Sequence, residues 1–147
     1  MNLSKNFTVE EFVSSQVAAR MGIPNGPPLE VVAAMKATAA GLEKIRTLLG
    51  DKPVIISSGY RSAALNSAVH GSPSSQHVKG EAVDFTCPAY GSPNQIVRAI
   101  VSSGIAYDQV IAEYVTSKTG GWVHVSFNSH PRNQALTIDN FGTRAFR

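Results

Sequence analysis

The period of the apolar residues changes once along this chain, and that change limits the possible folds more than any other feature. Val32, Met35, Ala39, Leu42, Ile45 and Leu49 recur every three or four residues, which predicts one buried face of a long helix. Gly50 is placed to end it. After residue 50 the period shortens to two. Val54-Ile55-Ile56-Ser57 reads as a buried strand, and Ala82 to Thr86 as a second. Tyr107 to Tyr114 and Trp122 to Phe127 read as a hairpin joined by Thr116-Ser117-Lys118-Thr119-Gly120, and Gln134 to Ile138 as a final strand.

Shorter helices punctuate this order. Thr8-Val9-Glu10-Glu11 is a capping box, and Pro24-Asn25-Gly26-Pro27-Pro28 is a rigid break before the long helix. Gly59-Tyr60-Arg61-Ser62 turns into a short helix around Ala64 to Val69. Ser92-Pro93 opens another, which Gly104 stops. Helices first and strands later predict an α+β fold, with N-terminal helices packed on a small antiparallel sheet. A length of 147 residues suits one domain with its own core, so residues 1–147 are read as a single unit.

Composition removes several function classes. The net charge of +3 comes without a basic run interleaved with aromatics, so nucleic acid is not an expected partner. No stretch of ~18 apolar residues occurs, so no membrane insertion is expected. The N-terminal Met1-Asn2-Leu3-Ser4-Lys5-Asn6-Phe7 lacks an apolar signal segment, which predicts synthesis in the cytoplasm without a signal peptide. The single cysteine, Cys87, excludes an internal disulfide or a multi-thiolate metal site and is read as a packed, inert thiol.

The segment Ser75-Gln76-His77-Val78-Lys79-Gly80-Glu81-Ala82-Val83-Asp84-Phe85 sets an aspartate between apolar strand residues, with a histidine on the preceding loop. Strand alternation sends Val83 and Phe85 to the core and Ala82, Asp84 and Thr86 to the other face. In the same way Val123, Val125 and Phe127 face inward, while Trp122, His124 and Ser126 face away. Val110 and Ala112 face inward and turn Gln109 and Glu113 outward. One sheet face thus carries Asp84, His124 and Glu113, with His77 at its rim. A lone carboxylate inside a strand is costly to bury unless a cation or hydrogen bonds compensate it. Two imidazoles and one carboxylate are the donor set of a catalytic zinc ion with a fourth position left for water. Glu113, on the same face, is the candidate general base. Each of these positions taken singly is more often structural.

Four blocks in order resemble the M15 family of zinc D-Ala-D-Ala peptidases, in the branch of carboxypeptidases and phage endolysins. They are Ser58-Gly59-Tyr60-Arg61-Ser62 with Leu65-Asn66, then Ser75 to Asp84, Tyr107-Asp108-Gln109-Val110-Ile111, and Trp122-Val123-His124-Val125-Ser126. The opening Phe7-Thr8-Val9-Glu10-Glu11-Phe12 is similar as well. The resemblance implies a hedgehog/DD-peptidase-like fold, one zinc ion on His77, Asp84 and His124, and hydrolysis of peptide bonds in peptidoglycan stem peptides. It implies that Arg61 binds a substrate carboxylate or the carbonyl oxygen that gains charge, that Ser75 orients substrate or metal, and that Trp122 walls the site. Some relatives carry an acid three positions before the last histidine, where this chain has Gly121, so the base is transferred to Glu113. His70 is a further candidate ligand whose loop position favours the surface, and His130 is read as exposed.

Two other readings compete. One is a zinc-binding module without catalysis that recognises a peptide or partner. The other is a serine hydrolase using Ser75 with His77 and Asp84, which the absence of a G-x-S-x-G pattern disfavours. Under the peptidase reading the protein is a monomer that reaches the cell wall after release, as a phage lysis enzyme does, or by other delivery.

Overall fold

The structure is a computed structural model that describes residues 1–116 and 120–147. Ser117, Lys118 and Thr119 of the expected hairpin loop lie outside the described residues. Three helices come first. Helix α1 (Val9–Val13) has the predicted capping box, with Thr8 accepting from the Glu11 amide and Glu11 reaching back to the Thr8 amide. Helix α2 (Gln16–Met21), not foreseen from the sequence, is capped by the Ser15 hydroxyl and closed by Gly22 in the left-handed conformation. Helix α3 (Leu29–Leu48) buries Met35, Ala39, Leu42 and Ile45, the face that the periodicity marks, together with Thr38.

The rest of the described chain supplies one six-stranded sheet and two more helices. Strand β1 is Ile55–Ser58, helix α4 is Ala63–Ala68, strand β2 is Ala82–Thr86 and helix α5 is Pro93–Ser103. Strands β3 (Gln109–Glu113), β4 (Trp122–Ser126), β5 (Gln134–Asp139) and β6 (Gly142–Ala145) complete it, in the order β1-β2-β4-β3-β5-β6. The core forms where α3 and α5 meet the inward sheet residues Val83, Phe85, Val110, Val123 and Val125. Cys87 is buried there as a free thiol.

Two expectations need correction. The sheet is mixed rather than antiparallel, because β5 pairs parallel with β3. The chain leaving β4 crosses the start of β3 and enters the sheet on its far side. Asn133 donates its amide to the Tyr107 carbonyl, and Gln134 to that of Asp108, which fixes this crossover. Alternation within β5 tells which face a residue occupies but not which neighbour it pairs with. The second correction concerns β1. Its apolar run suggests a strand buried on both faces, yet it forms the sheet edge and leaves Ile55 54% exposed. The other four helices and the α+β class stand as expected. None of the described helices is long and apolar enough to cross a membrane.

Candidate metal centre

Strand pairing puts the three predicted ligands in one place. Asp84 of β2 is directly opposite His124 of β4, and His124 is opposite Ile111 of β3. His77 is brought to this row by the turn 75–80, whose Gly80 carbonyl accepts from the buried Thr38 hydroxyl of α3 at 2.8 Å. One donor atom from each of His77, Asp84 and His124 lies within 4.8 Å of the other two. Asp84 Oδ1 is 2.9 Å from His124 Nδ1 and 3.3 Å from His77 Nε2.

The tautomer of His77 follows from its other neighbour. Its Nδ1 is 2.7 Å from the Gly59 carbonyl, which can only accept, so Nδ1 carries the proton. In the neutral ring Nε2 is then a lone pair pointed toward a carboxylate oxygen. Two acceptors so close, nearly closed to solvent, are costly unless a metal ion or a proton lies between them. Two imidazole nitrogens and one carboxylate oxygen, with one imidazole oriented by a backbone carbonyl, fit zinc.

Electrostatics support the same assignment. Burial alone would raise the Asp84 carboxyl, but the contacts from His124 and His77 outweigh it and hold it well below the usual range. Glu113 moves the other way, pushed up first by burial and then by the Asp84 charge. Among the described residues, the buried Trp122 indole N–H, directly across the β3/β4 pair from Glu113, has no partner that meets hydrogen-bond geometry. Arg61 is drawn down by burial, against the pull of Asp84 and Glu113, and stays a cation. Its Nη1 donates to Asn66 Oδ1 at 2.9 Å, and Asn66 in turn holds the Ser72 carbonyl.

These groups line a cleft of about 480 Å³ that contains Arg61, Ser75, His77, Asp84, Glu113 and His124. Trp122 is not in the cleft lining; it sits behind Glu113 with Tyr114 at 5.5 Å between ring centroids. His70 and His130 are exposed and take no part. A larger groove of about 670 Å³ on the α2 side also touches Arg61. It holds none of the three donors.

Sequence reasoning assigned no role to Gln76, Asn66, Asp108 or Arg132. Asp108 is fully buried, accepts from Arg132 at Nε, Nη2 and the backbone amide, and takes a further bond from Gln76 beside His77. Its signals were an acid placed immediately before an apolar strand and a place in the Tyr107-Asp108-Gln109-Val110-Ile111 block.

Comparison with known proteins fits this geometry. A profile of the peptidase M15 family matches residues 5–126 and so spans all three donors. The chain belongs to the peptidase M15 family. A curated relative, a zinc D-Ala-D-Ala carboxypeptidase of Streptomyces albus G, is 38% identical over 50 residues, which is 34% of this M15 chain. The chain spans about a fifth of that relative's length, 20%. Membership in a peptidase family points to a hydrolase, and the donor cluster is compatible with zinc.

Gly121 explains the departure noted at that position. It adopts φ +76°, and a Cβ there would sit 2.6 Å from the Glu113 carbonyl oxygen and 2.8 Å from Val115. An acidic side chain does not fit at 121 without moving β3. Glu113 lines the cleft.

Proposed function

We propose that residues 1–147 act as one zinc peptidase domain that hydrolyses peptide bonds in peptidoglycan stem peptides. The observation that carries this reading is the convergence of His77, Asp84 and His124 within 4.8 Å, in a cleft that also holds a carboxyl and a guanidinium without a place in the cluster. A zinc ion held there supplies Lewis acidity toward the scissile carbonyl and toward a water molecule.

The chain's own residues do the rest. Glu113 accepts a proton from the attacking water at its carboxylate and returns it to the leaving amine. Burial and the nearby Asp84 charge make it a stronger base than an ordinary carboxylate. Arg61 offers donors to the carbonyl oxygen as it gains charge or to a substrate carboxylate. Ser75 accepts from the His77 amide at 3.2 Å and so keeps that turn closed while lining the cleft. Trp122 backs Glu113. The relative, a zinc D-Ala-D-Ala carboxypeptidase, supports a D-Ala-D-Ala peptide as substrate, and action at the wall is part of this proposal.

The test is metal analysis of the purified protein, with mass spectrometry of fragments from digested peptidoglycan. About one zinc per chain and new peptide termini that vanish with chelator and return with zinc are expected. Cleavage that persists without metal would remove the reading and revive a serine mechanism at Ser75. Zinc bound without any cleavage would leave a recognition module.

A further inference from the structure

The two cationic residues of the cleft stand in opposite electrostatic settings, and this divides their work. Arg61 lies within the influence of both Asp84 and Glu113. Arg132 faces one carboxylate, that of Asp108, and the two partners are unequally exposed. Asp108 is 0% exposed, whereas the Arg132 side chain is 54% exposed and lines the cleft. The end of this pair that a ligand meets is therefore the cation.

Asp108 also fixes that cation in position. It takes Nε at 2.8 Å and Nη2 at 2.7 Å, and binds the Arg132 backbone amide at 3.0 Å. Gln76 closes the remaining side of Asp108 at 2.9 Å. Nη1 and the second N–H of Nη2 have no hydrogen bond among the described residues. A guanidinium with its stem immobilised and one edge unengaged loses little entropy on binding a carboxylate.

Strand register gives the distance from the chemistry. Ile111 shares the row of Asp84 and His124, Glu113 is two residues along β3 on one side, and Gln109 is two residues along on the other. Asp108 directly precedes Gln109, so Arg132 marks the end of the cleft opposite Glu113. The three residues from Ile111 to Asp108 cover roughly 10 Å. An extended peptide with its scissile bond at the donor cluster brings a group within about three residues of that bond to Arg132.

We propose that Arg132, positioned by Asp108, recognises a free carboxylate of the substrate within about three residues of the scissile bond, which leaves Arg61 for the carbonyl oxygen. This rests on the peptidase reading and assigns a specificity-determining residue to that cleft.

The test uses the zinc-loaded protein and synthetic stem peptides in which one carboxyl at a time is converted to the carboxamide. For the parent, amidation of one carboxyl near the cut bond is expected to lower kcat/KM roughly tenfold or more, mainly through KM. Arg132→Gln should lose a similar factor on the acid peptide and no longer separate acid from amide. A purely structural staple would weaken both peptides alike and keep their ratio. Arg132→Lys, which retains a charge for Asp108, should keep part of the preference and serves if Arg132→Gln folds poorly. The idea is overturned if the parent is indifferent to every amidation, or if the preference survives in Arg132→Gln and disappears in Arg61→Gln. Should no form be cut, the peptidase reading fails on its own. Calorimetric binding of the same acid and amide peptides then still decides the role of Arg132.

Discussion

At the scale of single residues, the cleft separates two kinds of acid by their surroundings. Asp84 and Asp108 are held low by imidazole and guanidinium partners, while Glu113 is raised by burial and by the Asp84 charge. A low carboxylate suits a ligand or a staple, and a raised one suits a base. Glu113→Gln should therefore keep zinc, measured by metal analysis, and lose turnover by about 10²–10⁴-fold. Activity of the parent should rise as pH increases through the Glu113 titration, because the base works deprotonated. That acid limb should be missing from whatever activity the variant retains. Unchanged turnover would take Glu113 out of the mechanism. Asp108 makes a separate prediction about stability. Its folded value is depressed chiefly by the Arg132 side chain, so its contribution is complete above the unfolded aspartate pKa of ~3.9 and is lost as pH falls below it. Asp108→Asn should cost roughly 1–3 kcal/mol at pH 7 and flatten the fall in stability between about pH 5 and pH 2, read from urea titrations. An equal slope in parent and variant would contradict the assignment.

At the scale of elements, the strands and turns determine where donors can be, and here legibility from sequence was uneven. Alternation alone put Asp84, His124 and Glu113 on one sheet face, and pairing of β2 with β4 and β4 with β3 bears that out. The period-two signal works because each of these strands has one face on the core. It misled at β1, where three apolar residues in a row lie on an edge, and it was silent on the β3/β5 pairing. That pairing depends on the crossover 127–133, which Asp108 and Tyr107 hold through backbone and side-chain bonds with no periodic trace. The turn at Gly59 shows how an element controls a side chain it does not contain. Its carbonyl sets the His77 tautomer, and a Cβ at residue 59 would run into the Phe12 backbone of α1. Gly59→Ala should therefore displace the β1–α4 turn from α1, at a cost of about 1–3 kcal/mol in thermal or urea unfolding. Zinc affinity should fall by about 10–100-fold, because His77 loses its orienting acceptor. A variant that is destabilised yet binds zinc as tightly as the parent would show that the Gly59 contact does not orient the ligand.

At the scale of the whole molecule, the three donors join separate parts of the fold. Asp84 and His124 belong to neighbouring central strands, and His77 to a turn anchored on α3 through Thr38 and on the β1–α4 turn through Gly59. An unfolded chain does not hold His77 and His124 near each other, so an ion bound by all three favours the folded state. The size follows from mass action. At a free zinc concentration of about 100 times its dissociation constant the stabilisation is ~2.7 kcal/mol. For a chain of this length that corresponds to a rise in Tm on the order of 5–10 °C. Scanning calorimetry with zinc and with chelator should show this rise in the parent and in Glu113→Gln, which keeps every donor. It should be lost in Asp84→Ala and in His124→Ala, which should melt at the same temperature with or without the metal. A parent insensitive to zinc would mean that the cluster is held together by its own hydrogen bonds, and the metal-based chemistry would have no place in the cleft. A shift retained in both alanine variants would instead put the ion elsewhere on the protein.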